Sequence, residues 1–185
     1  MSPISGKASA SVVKRAKHIQ LLLMDVDGTL SRGVSLLSQA DGTALELKLF
    51  DPHDGLGLAL ARLAGIRTGL ITGRESTALS VRAREVGMEF VYQKQPLKLP
   101  PYEEILSRAG VDDRAVAYVG DDLPDLPVMK RAGLAVAVGN AVPEVKRAAH
   151  FVTRARGGEG AVREAVELIL KAQGKWGELV GRARA

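Results

Sequence analysis

The sequence predicts an α/β fold: a Rossmann-like, doubly wound, mostly parallel sheet with helices on both faces. Short apolar runs recur, such as residues 19–24 and 115–119, and they suit strands buried on both faces. Segments of helical length separate these runs, so strand and helix alternate and imply βαβ units. Chemistry-bearing residues follow directly on the strand ends, where open α/β sheets place their ligands. The 185 residues fit one domain, and neither a repeat nor a linker divides them. Residues 19–173 are expected to form that domain, after a flexible segment over 1–18 and before a tail over 174–185.

Composition narrows the function. Hydrophobic residues make up 46% and charged residues 25%, an ordinary globular balance. Aromatics are only 4%, so the core is aliphatic and platforms for stacking nucleic-acid bases are scarce. The absence of cysteine excludes disulfide and thiolate chemistry and suits a reducing cytoplasm. A net charge of +5 favours anionic partners. No dense Lys/Arg tract or apolar stretch of spanning length is present, so a small anionic substrate is expected rather than nucleic acid or membrane.

The elements follow in order. The first strand, 19–25, ends in Asp25-Val26-Asp27-Gly28-Thr29, two carboxylates at i, i+2 with a glycine that lets the chain turn away. Over 33–50, Leu45, Leu47 and Leu49 alternate with Glu46 and Lys48 after Asp41-Gly42, the pattern of a β-hairpin. Its apolar face packs either on its own domain or on a hairpin of another subunit. Residues 50–55 read as a polar loop before a short helix that Gly65 ends. A strand over 66–71 runs into Thr72-Gly73-Arg74-Glu75-Ser76, where Ser76 or a neighbour caps a helix reaching Glu85. A short strand at 90–92 and a loop over 93–99 precede a helix opened by Pro100-Pro101. The strand over 115–119 runs into Gly120-Asp121-Asp122-Leu123-Pro124-Asp125. A helix at 126–132, a strand at 134–138, a helix from Pro143 and a strand at 151–153 follow. A glycine-rich turn over 156–160 then leads into a helix over 161–173, which Gly174 stops.

Asp25, Asp27, Thr72, Asp121, Asp122 and Asp125 all lie just past predicted strand ends, with Lys98 in a loop between. Such loops converge at one edge of a doubly wound sheet. Carboxylates gathered there repel one another unless a cation is present. Oxygen-only ligands without cysteine point to a hard cation such as Mg²⁺.

The order Asp-x-Asp-Gly-Thr, Ile-Thr-Gly-Arg, Lys and Gly-Asp-Asp-x-x-Asp resembles the haloacid dehalogenase-like phosphatase superfamily, over about residues 19–173. The resemblance implies a phosphate-ester hydrolase in which Asp25 is the nucleophile and forms an aspartyl-phosphate. Asp27 would then be general acid and afterwards base. Asp25, Asp121 and the main-chain carbonyl of Asp27 would hold Mg²⁺. Thr72 would bind a phosphoryl oxygen, and Lys98 would neutralise charge on it and on Asp25. Asp122 and Asp125 would orient Lys98 or metal-bound water, or cap the following helix. The competing class is a non-catalytic binding module that retains the fold; loss of Asp25, Asp27, Lys98 or Asp121 would signal it, and all four are present.

Only the hairpin occupies the gap between the first two motifs, and the next gap has room for core elements alone, so a cap domain is not expected. The capless subgroup assembles as homotetramers through such hairpins. Within it, the segments from Phe50 to Gly55, Ile71 to Ser76, Tyr118 to Met129 and Gly157 to Glu164 resemble the family of 3-deoxy-D-manno-octulosonate 8-phosphate phosphatases. That narrower resemblance implies a phosphorylated sugar-acid substrate and a place in lipopolysaccharide precursor synthesis. It offers Asp54, Gly55, Arg74 and Arg82 as substrate contacts; Arg suits a carboxylate by bidentate pairing. The competing reading of Asp54 is a turn residue, and that of Arg82 is part of a solvated helix face. The chain departs from the family pattern at residues 29–33 and 51–53, beside the expected sugar site. Nonulosonate 9-phosphate phosphatases, which share the capless core, are the alternative.

Overall fold

The computed structural model describes residues 8–38 and 44–182. Its organising element is β1 (Leu21–Met24), four residues with no exposed side chain. Burial on both faces requires neighbours on both edges and helices above and below. The other strands of its sheet are β4 (Arg67–Ile71), β5 (Phe90–Tyr92), β6 (Val116–Gly120), β7 (Leu134–Ala137) and β8 (Phe151–Val152). Their order is β5-β4-β1-β6-β7-β8, and every pairing is parallel. The chain builds outward from β1 through β4 to β5, then crosses to β6 on the other side. That reversal opens a crevice at the carboxyl ends of β1 and β6, the place where doubly wound sheets bind ligands. Met24 pairs with Leu70 and Val119, so Asp25 is the first residue beyond the paired register.

Between β1 and β4 the chain forms the antiparallel pair β2 (Ser31–Ser38) and β3 (Ala44–Phe50), without a cap domain among the described residues. The expected Asp41-Gly42 turn lies outside the described residues. β3 turns Glu46 and Lys48 toward its own domain and leaves Leu45, Leu47 and Leu49 43–64% exposed.

The helices are α1 (Ala10–Ala16), α2 (Pro52–Leu63), α3 (Thr77–Glu85), α4 (Leu99–Ala109), α5 (Leu126–Met129), α6 (Pro143–Ala148), α7 (Ala161–Ala172) and α8 (Trp176–Arg182). α1, α2 and α7 pack together, and α5 lies between α4 and α6. α7 buries Ala161, Val162, Ala165, Val166, Ile169 and Leu170, the i, i+4 stripe that a core-facing helix requires. No helix among the described residues is long and apolar enough to cross a membrane.

Three stretches carry structure beyond the sequence reading. Within the segment expected to be flexible over 1–18, Ser9 caps α1, and Val12 and Ala16 bury against the core beside α7. The tail after Gly174 carries α8, with Leu179 buried and Trp176 beneath the Arg163 guanidinium at 5.1 Å. Residues 52–55 are not loop but the first turn of α2, because the Asp51 side chain accepts from His53 N–H and Pro52 occupies the first helical position.

Candidate active site

The chain after β1 is held in a tight turn. Ser31 N–H donates to the Val26 carbonyl at 2.8 Å and Gly28 N–H to the Ser31 carbonyl at 3.0 Å. Val26 points into the core, while its neighbours Asp25 and Asp27 both line one cavity of about 280 Å³. Thr72, Gly73, Arg74, Gln95, Pro96, Lys98, Asp121, Asp122, Pro124 and Asp125 complete its lining. A larger cleft of about 950 Å³ opens at the opposite ends of β1 and β6, between residues 17–20, 112–115 and 172–175. Its carboxylate is Asp112, which is spent on capping the turn at Arg114, whereas the smaller cavity gathers five carboxylates and Lys98 at the carboxyl ends of the strands.

Lys98 is the centre of that convergence. Its ammonium donates to Asp25 Oδ1 at 2.5 Å and to Asp125 Oδ1 at 2.7 Å, with all three side chains nearly excluded from solvent. Burial pushes Asp25 up to about 7, against the pull of Lys98, and the Asp125 and Asp121 charges add to the push. Burial acts downward on Lys98, but Asp25 and Asp125 outweigh it and hold the ammonium above its ordinary value. An ammonium is therefore fixed between two buried carboxyls.

Asp125 has no lone pair to spare. Oδ1 accepts from Lys98 and from the Tyr118 hydroxyl at 2.8 Å; Oδ2 accepts from the N–H groups of Asp121 at 2.9 Å and Asp122 at 3.2 Å. Asp122 is exposed and accepts from Leu123 N–H at 2.7 Å, capping the short 3₁₀ turn at Leu123–Asp125. Asp121 is half-buried, and Thr29 Oγ1 donates to its Oδ1 at 2.7 Å. Burial raises Asp121 to about 6 despite that hydrogen bond.

Oxygens of Asp25, Asp121 and Asp125 come within 4.8 Å of one another, close enough to share an ion. The occupied oxygens of Asp125 leave Asp25 and Asp121 as the carboxylates with capacity to ligate. Hard oxygen donors, two charges and mutual repulsion fit a divalent hard cation.

Glycines allow the close approaches. A Cβ on Gly28, whose φ is +94°, would stand 2.2 Å from Asp121 Oδ2. A Cβ on Gly157 would stand 1.6 Å from the Gly28 carbonyl oxygen. The turn before α7 thus lies backbone to backbone on the loop after β1, and Gly158 N–H donates to the Thr29 carbonyl at 2.9 Å.

Not every candidate reaches the cavity. Thr72 is buried at the end of β4 and Arg74 is exposed on the rim. Asp54 is not available as a substrate contact: it is wholly buried and accepts from the N–H groups of Arg163 at 2.7 Å and Gly160 at 3.3 Å, at the start of α7. Burial raises it to about 6, against those hydrogen bonds. Arg82 also lies away from the cavity, paired with Glu85 at 3.0 Å and stacked over Phe50 at 5.7 Å. Gly55 makes room for it, since a Cβ there would stand 2.3 Å from Arg82 Nη2. Lys48 and Glu46, absent from every motif, come instead to the site: the Lys48 ammonium contacts Asp27 Oδ1. Strand alternation signals that the two share a face, but not that this face turns inward.

Comparison with known proteins gives the same answer as the geometry. Residues 75–165 match the haloacid dehalogenase-like hydrolases. The chain is 42% identical over 178 residues to the 3-deoxy-D-manno-octulosonate 8-phosphate phosphatase of Escherichia coli K12, covering 96% of this chain and 93% of that protein. The crystal structure of the Yersinia pestis enzyme of the same name superposes with a TM-score of 0.85 at 44% identity, covering 90% of this chain and 88% of that one. The Moraxella catarrhalis enzyme, in complex with magnesium ion, phosphate ion and KDO, superposes with a TM-score of 0.87 at 39% identity, covering 92% of this chain and 97% of that one. With the Asp25–Lys98–Asp125 cluster at the switch point of a parallel sheet, this likeness over nearly the full length places the chain in the haloacid dehalogenase-like hydrolases, in the family of the 3-deoxy-D-manno-octulosonate 8-phosphate phosphatases.

Proposed function

We propose that this chain is a Mg²⁺-dependent phosphomonoester hydrolase that releases phosphate from 3-deoxy-D-manno-octulosonate 8-phosphate, a step in making lipopolysaccharide precursor. The observation that carries the reading is the single cavity in which Lys98 bridges Asp25 and Asp125 beside Asp27, Thr72 and Asp121.

In this reading Asp25 attacks phosphorus, the ester P–O bond breaks, and Asp27 protonates the departing alkoxide. Asp27, now a carboxylate, takes a proton from the water that hydrolyses the aspartyl-phosphate. Lys98 stays charged between Asp25 and Asp125 and faces the equatorial oxygens, where phosphoryl transfer needs positive charge. Thr72 donates to a phosphoryl oxygen. Asp25, Asp121 and the Asp27 main-chain carbonyl would hold Mg²⁺, which when bound supplies charge neutralisation for the carboxylates and the phosphoryl group. Arg74, exposed on the cavity rim, suits the sugar carboxylate by bidentate pairing.

Neighbouring copies complete the enzyme in this reading. Leu45, Leu47 and Leu49 form an exposed apolar face on β3, and no cap domain covers the cavity among the described residues. Other copies of the chain cover that face in a homotetramer. Without cysteine, the assembly suits the reducing cytoplasm.

A phosphate-release screen across sugar-acid and sugar phosphates, with and without Mg²⁺, tests the function. Turnover of the octulosonate ester should exceed that of simple sugar phosphates in kcat/KM and vanish in Asp25→Asn. Equal turnover of all esters would remove the substrate assignment, and metal-independent turnover by Asp25→Asn would remove the mechanism. Light scattering at micromolar concentration should report a tetramer; a monomer would contradict the assembly.

A further inference from the structure

Lys48, on the hairpin strand β3, reaches the carboxyl of Asp27 in the cavity lining. Its side chain is 1% exposed, although a lysine on a two-stranded ribbon would ordinarily extend into water. A buried ammonium is costly unless it is paired. Lys48 is paired with Asp27 Oδ1 and lies 3.7 Å from Glu46 Oε1. Ser31 Oγ reaches the same oxygen of Asp27 at 3.3 Å. The one proton of the Ser31 hydroxyl lies nearer the Val26 carbonyl, at 3.2 Å, so Lys48 is the donor that holds Oδ1.

The strand that carries Lys48 is itself anchored. Two residues earlier on the same face, Glu46 Oε2 accepts from the Ser76 hydroxyl at 2.7 Å. Ser76 caps α3, and its N–H donates to Gln93 Oε1 at 2.7 Å. The loop bearing Thr72 and Arg74 and the strand bearing Lys48 are thereby joined.

We propose that Lys48 is a positioning residue for the acid/base carboxyl of Asp27, delivered by β3 and held by the Glu46–Ser76 hydrogen bond. The proposal rests on the role given to Asp27 above. Proximity and orientation of a general acid set how much of its effect is realised, and a displaced acid loses rate in proportion to how badly the leaving group needs its proton.

Leaving-group dependence separates this role from a structural one. The octulosonate 8-phosphate leaves as an alkoxide and needs protonation; p-nitrophenyl phosphate leaves as a stabilised phenolate and does not. The measurement is kcat/KM, which reports formation of the aspartyl-phosphate, for both esters with Asp27→Asn, Lys48→Met, Lys48→Arg and Ser76→Ala. Lys48→Met should lose about 10- to 100-fold on the sugar ester, part of the range general acids supply, and about twofold or less on p-nitrophenyl phosphate. Lys48→Arg should recover part of the loss, and Ser76→Ala should show a weaker loss with the same dependence. Should Lys48→Met fail to give a normal circular dichroism spectrum, Ser76→Ala carries the test alone. Equal losses on both esters, or no loss on either, would overturn the role of Lys48. Absence of leaving-group dependence in Asp27→Asn would instead overturn the role of Asp27 and take the proposal with it.

Discussion

The Tyr118 hydroxyl donates to Asp125 Oδ1 at 2.8 Å, the same oxygen that receives the Lys98 ammonium. Tyr118 lies on β6 with no exposed surface, so this hydrogen bond reaches from the sheet core to the cavity. Removing one donor to a buried charged acceptor costs about 1–3 kcal/mol. Tyr118→Phe should lower Tm by about 2–4 °C for each kcal/mol lost, as expected at this chain length. It should also reduce kcat several-fold with little change in KM, because Lys98 loses part of its anchorage. Thermal melts and steady-state kinetics at saturating Mg²⁺ check both outcomes.

Lys98→Met should abolish measurable turnover of the sugar ester. It removes the cation from a cluster where Asp25, Asp125 and Asp121 already repel one another. Leaving buried carboxylates unpaired is destabilising by about 3–5 kcal/mol. Added Mg²⁺ should therefore raise the Tm of this variant more than that of the unmodified chain. Differential scanning calorimetry over a Mg²⁺ series gives the comparison.

Gly28→Ala should damage cation affinity before it damages the fold. The backbone there has φ of +94°, and the new methyl would fall 2.2 Å from Asp121 Oδ2. A non-glycine residue held in such a conformation costs about 1–3 kcal/mol. Displacement of Asp121 should raise the Mg²⁺ concentration for half-maximal activity about tenfold or more. A Mg²⁺ titration of activity at fixed substrate shows it.

Asp54 gives stability a pH dependence away from the cavity. Its carboxyl titrates near 6 when folded, against 3.8 for the ordinary group, because burial disfavours its charge. The folded state therefore binds this proton more tightly than the unfolded state does. The resulting stabilisation is full below pH 3.8 and is lost as pH rises to about 6. Asp54→Asn, which keeps an acceptor for the start of α7, should flatten urea-derived stability between pH 4 and 6. Asp54→Ala should cost about 0.5–2 kcal/mol through the lost cap. An unchanged slope in Asp54→Asn would exclude this carboxyl as the source.

The sheet and most of the cavity were legible because they depend on local signals. β1 and β6 are apolar runs, and Asp25, Asp27, Thr72, Asp121 and Asp125 sit immediately after strand ends. The place of Asp54 is not legible, because residues 50–55 are polar and lack helical periodicity; the Asp51 cap and Pro52 start α2 earlier and turn Asp54 inward toward α7. Lys48 was missed for a different reason. Alternation groups Glu46 with Lys48, but only tertiary packing decides that their face is the inner one and that the leucines stay outside. α1 escaped notice because its helix depends on burying Val12 and Ala16 against a partner far along the chain.

The contact between Gly157 and Gly28 also joins the loop after β1 to a stretch far along the chain. The side chains that line the cavity all precede residue 126, yet the backbone on which the loop after β1 rests comes later in the chain, at Gly157 and Gly158. A chain still growing on the ribosome, with Gly157 and Gly158 inside the exit tunnel, carries the cavity's carboxylates without this part of their loop's support. A fragment truncated ahead of that turn would keep the side chains that line the cavity and lose the backbone against which the loop after β1 packs.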